Sequence, residues 1–366
     1  WPADFVCGSV TDTDMFTFDF SRLATIGLTP VLLQNLLQQA QCDGTLFRVS
    51  AVHRDAVLLH DGEHERRCRL ASSQWQALQA EDGLAVGDWV LAASDPAGDW
   101  WLQQRLSPVN ALLRRNSHGQ RQRIASNIDT ALLVMGLDGD FNLRRLERFV
   151  SMVQAAAITP VIVLSKADQC ADPQASMQAV RQRLPASMTV LALNGTDAAS
   201  CGQLAPWLGQ GQTLIVLGSS GVGKSTLSNT LLGEVCQQTG AVRADDSRGR
   251  HTTTARSLHR LPGGACLIDT PGVRTLQPDL DEVALADSFD DIARLAKQCQ
   301  FRDCQHQHEP GCAVRPVVDA DRLHNYFKLL REARRGEESL LQRKAQQAVW
   351  KRRSKAMRQK QKLLRD

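Results

Sequence analysis

The chain has 366 residues, ten cysteines and, from 43 basic and 39 acidic side chains, a formal charge of +4. That length predicts two or three domains at roughly 100–200 residues each. With 43% hydrophobic and 22% charged residues, a wholly disordered, collagen-like or disulfide-scaffold protein is excluded.

Residues 1–40 carry little pattern beyond a helix expected at Pro30–Ala40, and read as a partly disordered extension. The chain opens at Trp1 without a basic-then-apolar leader, and its first methionine is Met15; this reads as a trimmed start. Residues 41–108 show short strands at Thr45–Val52, Ala56–His60, Arg67–Leu70, Asp88–Ala92 and Trp100–Gln104. Turn residues such as Asp61-Gly62 and Val86-Gly87 separate them. Five strands in this space predict a small closed barrel of the oligonucleotide-binding (OB) kind, with an SH3-like barrel as the alternative. Residues 105–123 hold Arg105, Arg114, Arg115, Arg121 and Arg123 and no acid, which predicts an exposed linker able to touch nucleic acid.

From Asn127 the texture alternates. Ala131–Met135, Val161–Leu164, Thr189–Leu193 and Leu214–Leu217 read as buried strands. Asn142–Ala157 places Leu143, Leu146, Phe149, Val150 and Val153 on one helical face. This predicts an α/β domain over 109–285, built on a parallel sheet covered on both faces. Its longest apolar stretch, around Ala131 to Leu137, is far short of the ~18–20 residues of a membrane span, so a soluble, cytoplasmic chain with no membrane partner is expected. Beyond about Asp281 no strands are evident, and 286–366 reads as a helical, metal-bearing domain with a basic tail.

Gly218-Ser219-Ser220-Gly221-Val222-Gly223-Lys224-Ser225, followed by Thr226, fits G-x-x-x-x-G-K-[ST] after a strand and before a helix, the context this phosphate loop requires. Its backbone N–H groups cradle phosphates, Lys224 reaches the β- and γ-phosphates, and the Ser225 hydroxyl ligates Mg²⁺. Downstream, Asp269-Thr270-Pro271-Gly272 follows a strand. Asp269 can hold the Mg²⁺ shell through water, and the Gly272 N–H can sense the γ-phosphate. Between them, His251-Thr252-Thr253-Thr254 reads as a switch, with Thr253 completing the metal sphere.

Ser165-Lys166-Ala167-Asp168 follows another strand. Asp168 can accept from guanine N1 and the 2-amino group, while the Lys166 stem covers the ring; adenine would leave a polar group unpaired. Ser165 stands where Asn is usual, and loss of that bracing amide predicts weaker GTP binding. Asn194-Gly195, after the next strand, is the expected third base-contacting loop. Lys166 and Asp168 precede the phosphate loop, the reverse of the ordinary order, so the domain reads as circularly permuted.

Cys299-x₄-Cys304-x-His306-x₅-Cys312 offers three thiolates and an imidazole, a soft closed set suited to one structural tetrahedral Zn²⁺, with His308 as the alternative imidazole. The other seven cysteines are scattered and read as reduced core residues. The tail then gathers charge: residues 331–366 hold 13 Lys and Arg against 4 Asp and Glu, a net +9, which leaves −5 on the remainder. A basic tail on an acidic body suits a polyanionic partner, because neutralising phosphates releases counterions.

The barrel, the Ala125-Ser126-Asn127-Ile128-Asp129 entry, Asn142-Leu143-Arg144-Arg145-Leu146-Glu147-Arg148, the permuted motif order, the switch, Asp269-Thr270-Pro271-Gly272-Val273 and the Cys/His spacing together resemble the circularly permuted, ribosome-associated GTPase family RsgA, also called YjeQ. The resemblance implies a monomer that binds the small ribosomal subunit and its rRNA through barrel and zinc domains. It implies hydrolysis of GTP to GDP and phosphate in late subunit maturation, stimulated by the subunit. Val273, where many GTPases carry a water-orienting Gln, cannot polarise water, and the resemblance points to His251 as the substitute. The competing reading is an RNA-binding assembly factor whose nucleotide mainly tunes affinity; a P-loop ATPase is a third.

Overall fold

The computed structural model describes residues 18–40, 42–53, 56–115, 121–233, 256–270 and 282–337. They fall in two compact units, one holding the barrel with the α/β sheet and one holding the residues from Glu282 onward.

The first five strands are β1 (Thr45–Val52), β2 (Val57–His60), β3 (Glu65–Arg69), β4 (Trp89–Ser94) and β5 (Trp100–Arg105). β1 pairs antiparallel with β2 and β4, β2 with β3, and β4 with β5, while β3 and β5 run parallel. The ring closes in the order 1-2-3-5-4-1, with a helix at Ser72–Glu81 between the third and fourth strands. This is OB topology. Alternate side chains fill the interior, among them Phe47, Val49, Val57, Leu59, Val90 and Leu102, and Phe47 meets Trp100 edge-on at 4.9 Å.

Two expectations need correction. Residues 18–40 are packed rather than loose. Asp19 and Thr29 cap short helices at Phe20–Ala24 and Pro30–Leu37, and Leu23, Ile26, Leu28 and Leu36 lie fully inside the main core. Residues 1–17 lie outside the described residues. The arginine-rich stretch is not an exposed linker either. It forms a hairpin of β6 (Ala111–Arg115) and β7 (Arg121–Ser126), with Leu112 and Ile124 buried. Arg105 pairs with Glu81 and Asp82, and Arg123 with Asp82 and buried Asp88. Arg114 donates to Gln122 Oε1 across the hairpin, so at least three of the five arginines are spent on the fold.

The α/β part contains β8 (Thr130–Gly136), β9 (Thr159–Ser165), β10 (Thr189–Ala192), β11 (Thr213–Leu217), β12 (Ser257–Arg260) and β13 (Cys266–Asp269). Their order is β10-β9-β8-β11-β13-β12; the first five of these are mutually parallel, and β12 is antiparallel to β13. Every residue of β8 and β11 is buried, as expected for strands covered on both faces. β12 also pairs with β1 at Ala51↔Ser257, so the sheet runs on into the barrel wall. At this joint the fully buried Arg48 of β1 donates to the Asn127 carbonyl and to Thr213 Oγ1, each at 2.9 Å. It also donates to the Ile26 carbonyl and lies 5.5 Å over the Trp89 ring.

The second unit packs helices Glu282–Ser288, Asp290–Ala296 and Ala320–Glu337 around Leu285, Phe289, Ile292, Val314 and Leu329. Arg322 covers the Phe289 ring at 4.7 Å while pairing with Asp291 at 2.7 Å. Among the described residues no strand follows Glu282, and no helix is long and apolar enough to cross a membrane. Most of the basic tail, residues 338–366, lies outside the described residues.

Candidate nucleotide site and metal cluster

Parallel strands deliver their following loops to one edge of the sheet, and here the motifs lie on those loops. The phosphate loop follows β11, flanked by β8 and β13. Gly218 has φ +153°, and a Cβ there would lie 2.2 Å from the Val134 carbonyl oxygen, so only glycine fits. Gly223, at φ +92°, opens the helix Lys224–Leu232 without a side-chain cap. The first N–H groups of that helix are left facing the loop's hollow, an anion site. Lys224 is only 8% exposed. Its Nζ donates to the carbonyls of Gly218 at 2.9 Å and Ser219 at 2.5 Å. Burial pushes this ammonium below its ordinary value, opposed by the nearby carboxylates of Asp269 and Asp140. Ser225 and Thr226 follow, half-buried. Asp269 ends β13 in a buried position, and Thr270 Oγ1 donates to the Val216 carbonyl at 2.6 Å, locking that strand end to β11.

The base motif follows β9. Lys166 takes a left-handed φ of +60° and Asp168 is exposed on the short turn Ala167–Gln169. The brace expected to vanish with the missing Asn is made by Ser165 itself. Its Oγ donates to the Val222 carbonyl of the phosphate loop at 2.5 Å, with the Met135 carbonyl at 3.3 Å. The Ala167 N–H donates to the Leu193 carbonyl, and the Gly195 carbonyl accepts from Thr230 Oγ1, on the helix after the phosphate loop, at 2.6 Å. Base loop, Asn194-Gly195 loop and phosphate loop are thereby tied together. His251, Thr253 and Gly272 lie outside the described residues.

Sequence reasoning missed the loop after β8. Asp138 holds Lys166 Nζ at 2.5 Å. Asp140 holds Arg145 at 2.5 Å, and Arg145 also donates to Ser219 Oγ of the phosphate loop. A signal was present: Arg144 and Arg145 occupy the first turn of the helix Leu143–Ala155, which has no acid there. The helix dipole disfavours cations at that end.

In the second unit the donor atoms of Cys299, Cys304, His306 and Cys312 all lie within 4.8 Å of one another. Sγ of Cys299 and of Cys312 stand 3.5 and 3.6 Å from His306 Nδ1. Ligands about 2.3 Å (S) and 2.0–2.1 Å (N) from one tetrahedral zinc would be about 3.5 Å apart, so the set fits Zn²⁺. His306, not His308, supplies the imidazole, from a backbone φ of +57°. The Ala313 N–H donates to Cys299 Sγ at 3.4 Å. Glu309 gathers the N–H groups of Gln305, Gln307 and His308.

A family profile described as RsgA GTPase matches residues 106–279. A relative from Vibrio vulnificus, named small ribosomal subunit biogenesis GTPase RsgA 2, is 44% identical over 85% of this chain and 87% of its own length. The chain belongs to the RsgA GTPase family. A Xylella fastidiosa relative named small ribosomal subunit biogenesis GTPase RsgA is 47% identical over 71% of this chain and 76% of its own. The fold is shared with YjeQ from Thermotoga maritima (TM-score 0.57, 21% identity, 79% of this chain and 98% of that one). It is shared also with YloQ, described as a circularly permuted GTPase (TM-score 0.55, 23% identity, 80% and 96%). A profile described as ABC transporter also matches residues 203–365; it takes in the phosphate loop, which many nucleotide-binding proteins share, but not the base motif ahead of it.

Proposed function

We propose that the chain binds the small ribosomal subunit and hydrolyses GTP to GDP and phosphate during late subunit maturation, with turnover stimulated by the subunit. The observation that carries this reading is the Ser165–Val222 hydrogen bond. It fastens a K-x-D base loop to a phosphate loop that follows it in sequence, the permuted arrangement of the family.

In this reading Asp168 accepts from the guanine edge and Lys166, steadied by Asp138, covers the ring. The loop N–H groups and Lys224 hold the β- and γ-phosphates. Ser225 and Thr253 would hold Mg²⁺, with Asp269 acting through water; the ion supplies neutralisation of phosphate charge. Gly272 senses the γ-phosphate, and His251 orients the attacking water as an acceptor. Turnover in this reading stays slow until the subunit is bound. The cysteine–histidine set holds one structural Zn²⁺.

For the barrel's contact with rRNA, the supporting feature is an arginine laid over an aromatic ring between β3 and β5. Arg69 lies 5.9 Å over the Trp101 ring, while the neighbouring Trp100 turns toward Phe47 of the barrel core; the Arg69–Trp101 pair is a composition that suits stacked bases and phosphates. The basic tail adds sequence-independent attraction. The protein acts in this reading as a cytoplasmic monomer.

The test is GTP turnover across a titration of small ribosomal subunits at fixed salt. A rise that saturates with subunit concentration is the expected result; turnover indifferent to subunits would overturn the reading.

A further inference from the structure

We propose that Arg145 is a positioning residue for GTP hydrolysis, clamping the phosphate loop so that the Lys224 ammonium stays in place as the γ-phosphate leaves; this rests on the GTPase reading above. Arg145 is the third residue of the helix Leu143–Ala155, and its backbone N–H is taken by the capping side chain of Asn142 at 3.0 Å. A cation in a first helical turn works against the helix dipole, so this position is poor for the helix alone. The guanidinium instead bridges Asp140 and Ser219 Oγ.

Ser219 is gripped twice. Its hydroxyl accepts from Arg145 and its carbonyl oxygen accepts from Lys224 Nζ. The Lys224 ammonium is thus tethered to the very residue that Arg145 holds. Asp140, the ion-pair partner of Arg145, is also close enough to act on the charge of Lys224. Among the described residues Asp140 Oδ2 is buried without a hydrogen-bond partner, a cost unusual unless the pair serves a purpose beyond packing.

Hydrolysis breaks the bond from the γ-phosphorus to the single oxygen that joins it to the β-phosphate, and charge grows on that leaving oxygen, where the lysine must sit accurately. A slack Ser219 would let the ammonium drift in the transition state, while GDP would still be held by the remaining loop N–H groups. The clamp therefore acts on kcat rather than on nucleotide affinity.

The experiment measures kcat and KM for GTP with saturating small ribosomal subunits, and GDP affinity, in Arg145→Ala, Arg145→Lys, Ser219→Ala and the Arg145→Ala/Ser219→Ala double variant. The expected result is a roughly tenfold to hundredfold fall in kcat for Arg145→Ala, the scale of a small misplacement. GDP affinity should stay within about twofold. Arg145→Lys should recover part of the rate. Ser219→Ala should show the same loss, with no further loss in the double variant. A kcat within about twofold of wild type in Arg145→Ala, or losses that multiply in the double variant, would overturn the clamp. If Arg145→Ala does not fold, Ser219→Ala decides alone, since it removes one hydroxyl. Failure of the parent reading is seen separately, as absence of subunit-stimulated turnover in the wild-type chain.

Discussion

Arg48 of the barrel donates to Thr213 Oγ1 at 2.9 Å, joining the wall of one β-structure to the first residue of the strand that ends in the phosphate loop. Both groups are buried, and desolvation pushes the guanidinium below its ordinary value. Carbonyl oxygens of Ile26, Gly87 and Asn127 complete its surroundings. Arg48→Met would keep volume but leave those carbonyls without this donor. At about 1–3 kcal/mol for each unsatisfied buried group, a loss of roughly 2–5 kcal/mol is expected. Urea unfolding followed by tryptophan fluorescence measures it; a change below about 0.5 kcal/mol, the scale of a neutral surface substitution, would show that the joint does not depend on this residue.

Ser165 carries a hydrogen bond that an asparagine would ordinarily supply. Ser165→Ala should weaken GDP and GTP binding about three- to tenfold, the equivalent of one hydrogen bond of about 1 kcal/mol, whereas Ser165→Asn should bind at least as well as wild type. Fluorescent-nucleotide titration distinguishes the two. Asp168→Asn, by contrast, should erode discrimination between GTP and ATP in competition, because the acceptor for the guanine edge is lost.

In the proposed mechanism His251 positions the attacking water. His251→Ala should abolish most of the subunit-stimulated turnover while nucleotide affinity stays unchanged, read from kcat and from GDP titration in the same preparation. Normal stimulation in that variant would remove the residue from the mechanism.

Metal analysis should find one zinc per chain, and Cys304→Ser should lose it. Glu309 offers a subtler test through pH. Hydrogen bonds from backbone N–H groups, its own and that of Gln305 foremost, bring its carboxyl from 4.5 down to about 2. A lowered folded value means that its support of the loop is complete above about pH 4.5, and is lost only as pH falls through about 2. Zinc release between pH 6 and 4 must then come from protonation of the ligands, in wild type and Glu309→Gln alike. At neutral pH, Glu309→Gln should release zinc to a chelator several-fold faster. Equal rates would show that the loop holds its ligands without this carboxylate.

Most strands of both β-structures were legible because turn residues bracket them and their apolar runs are short or continuous; β12 was not, because only Leu258 of its four residues is buried. The helix Ser72–Glu81 was not, because it buries none of its residues and so leaves no apolar stripe to read. The arginines of 105–123 misled for a spatial reason. The acids that pair with Arg105 and Arg123 are Glu81, Asp82 and Asp88, outside the window, and a local charge count cannot see a partner that only folding brings near. Motif spacing exposed the phosphate loop and the cysteine–histidine set in full. The role of Ser165 required the position of the Val222 carbonyl, and the contacts of Asp138 and Arg145 required the approach of a loop that carries no motif.

The pairing of Ala51 with Ser257 also bears on how the chain can be divided. β1 closes the barrel through β2 and β4 and at the same time meets β12 at the pair Ala51 and Ser257. A fragment containing only the OB barrel would keep its ring complete. A fragment lacking residues 1–108 would present β12 as a bare sheet edge, with free N–H and C=O groups available to strands of other molecules. Removing the barrel should therefore raise the tendency to self-associate, read as light scattering that grows with concentration more steeply in the fragment than in the full chain.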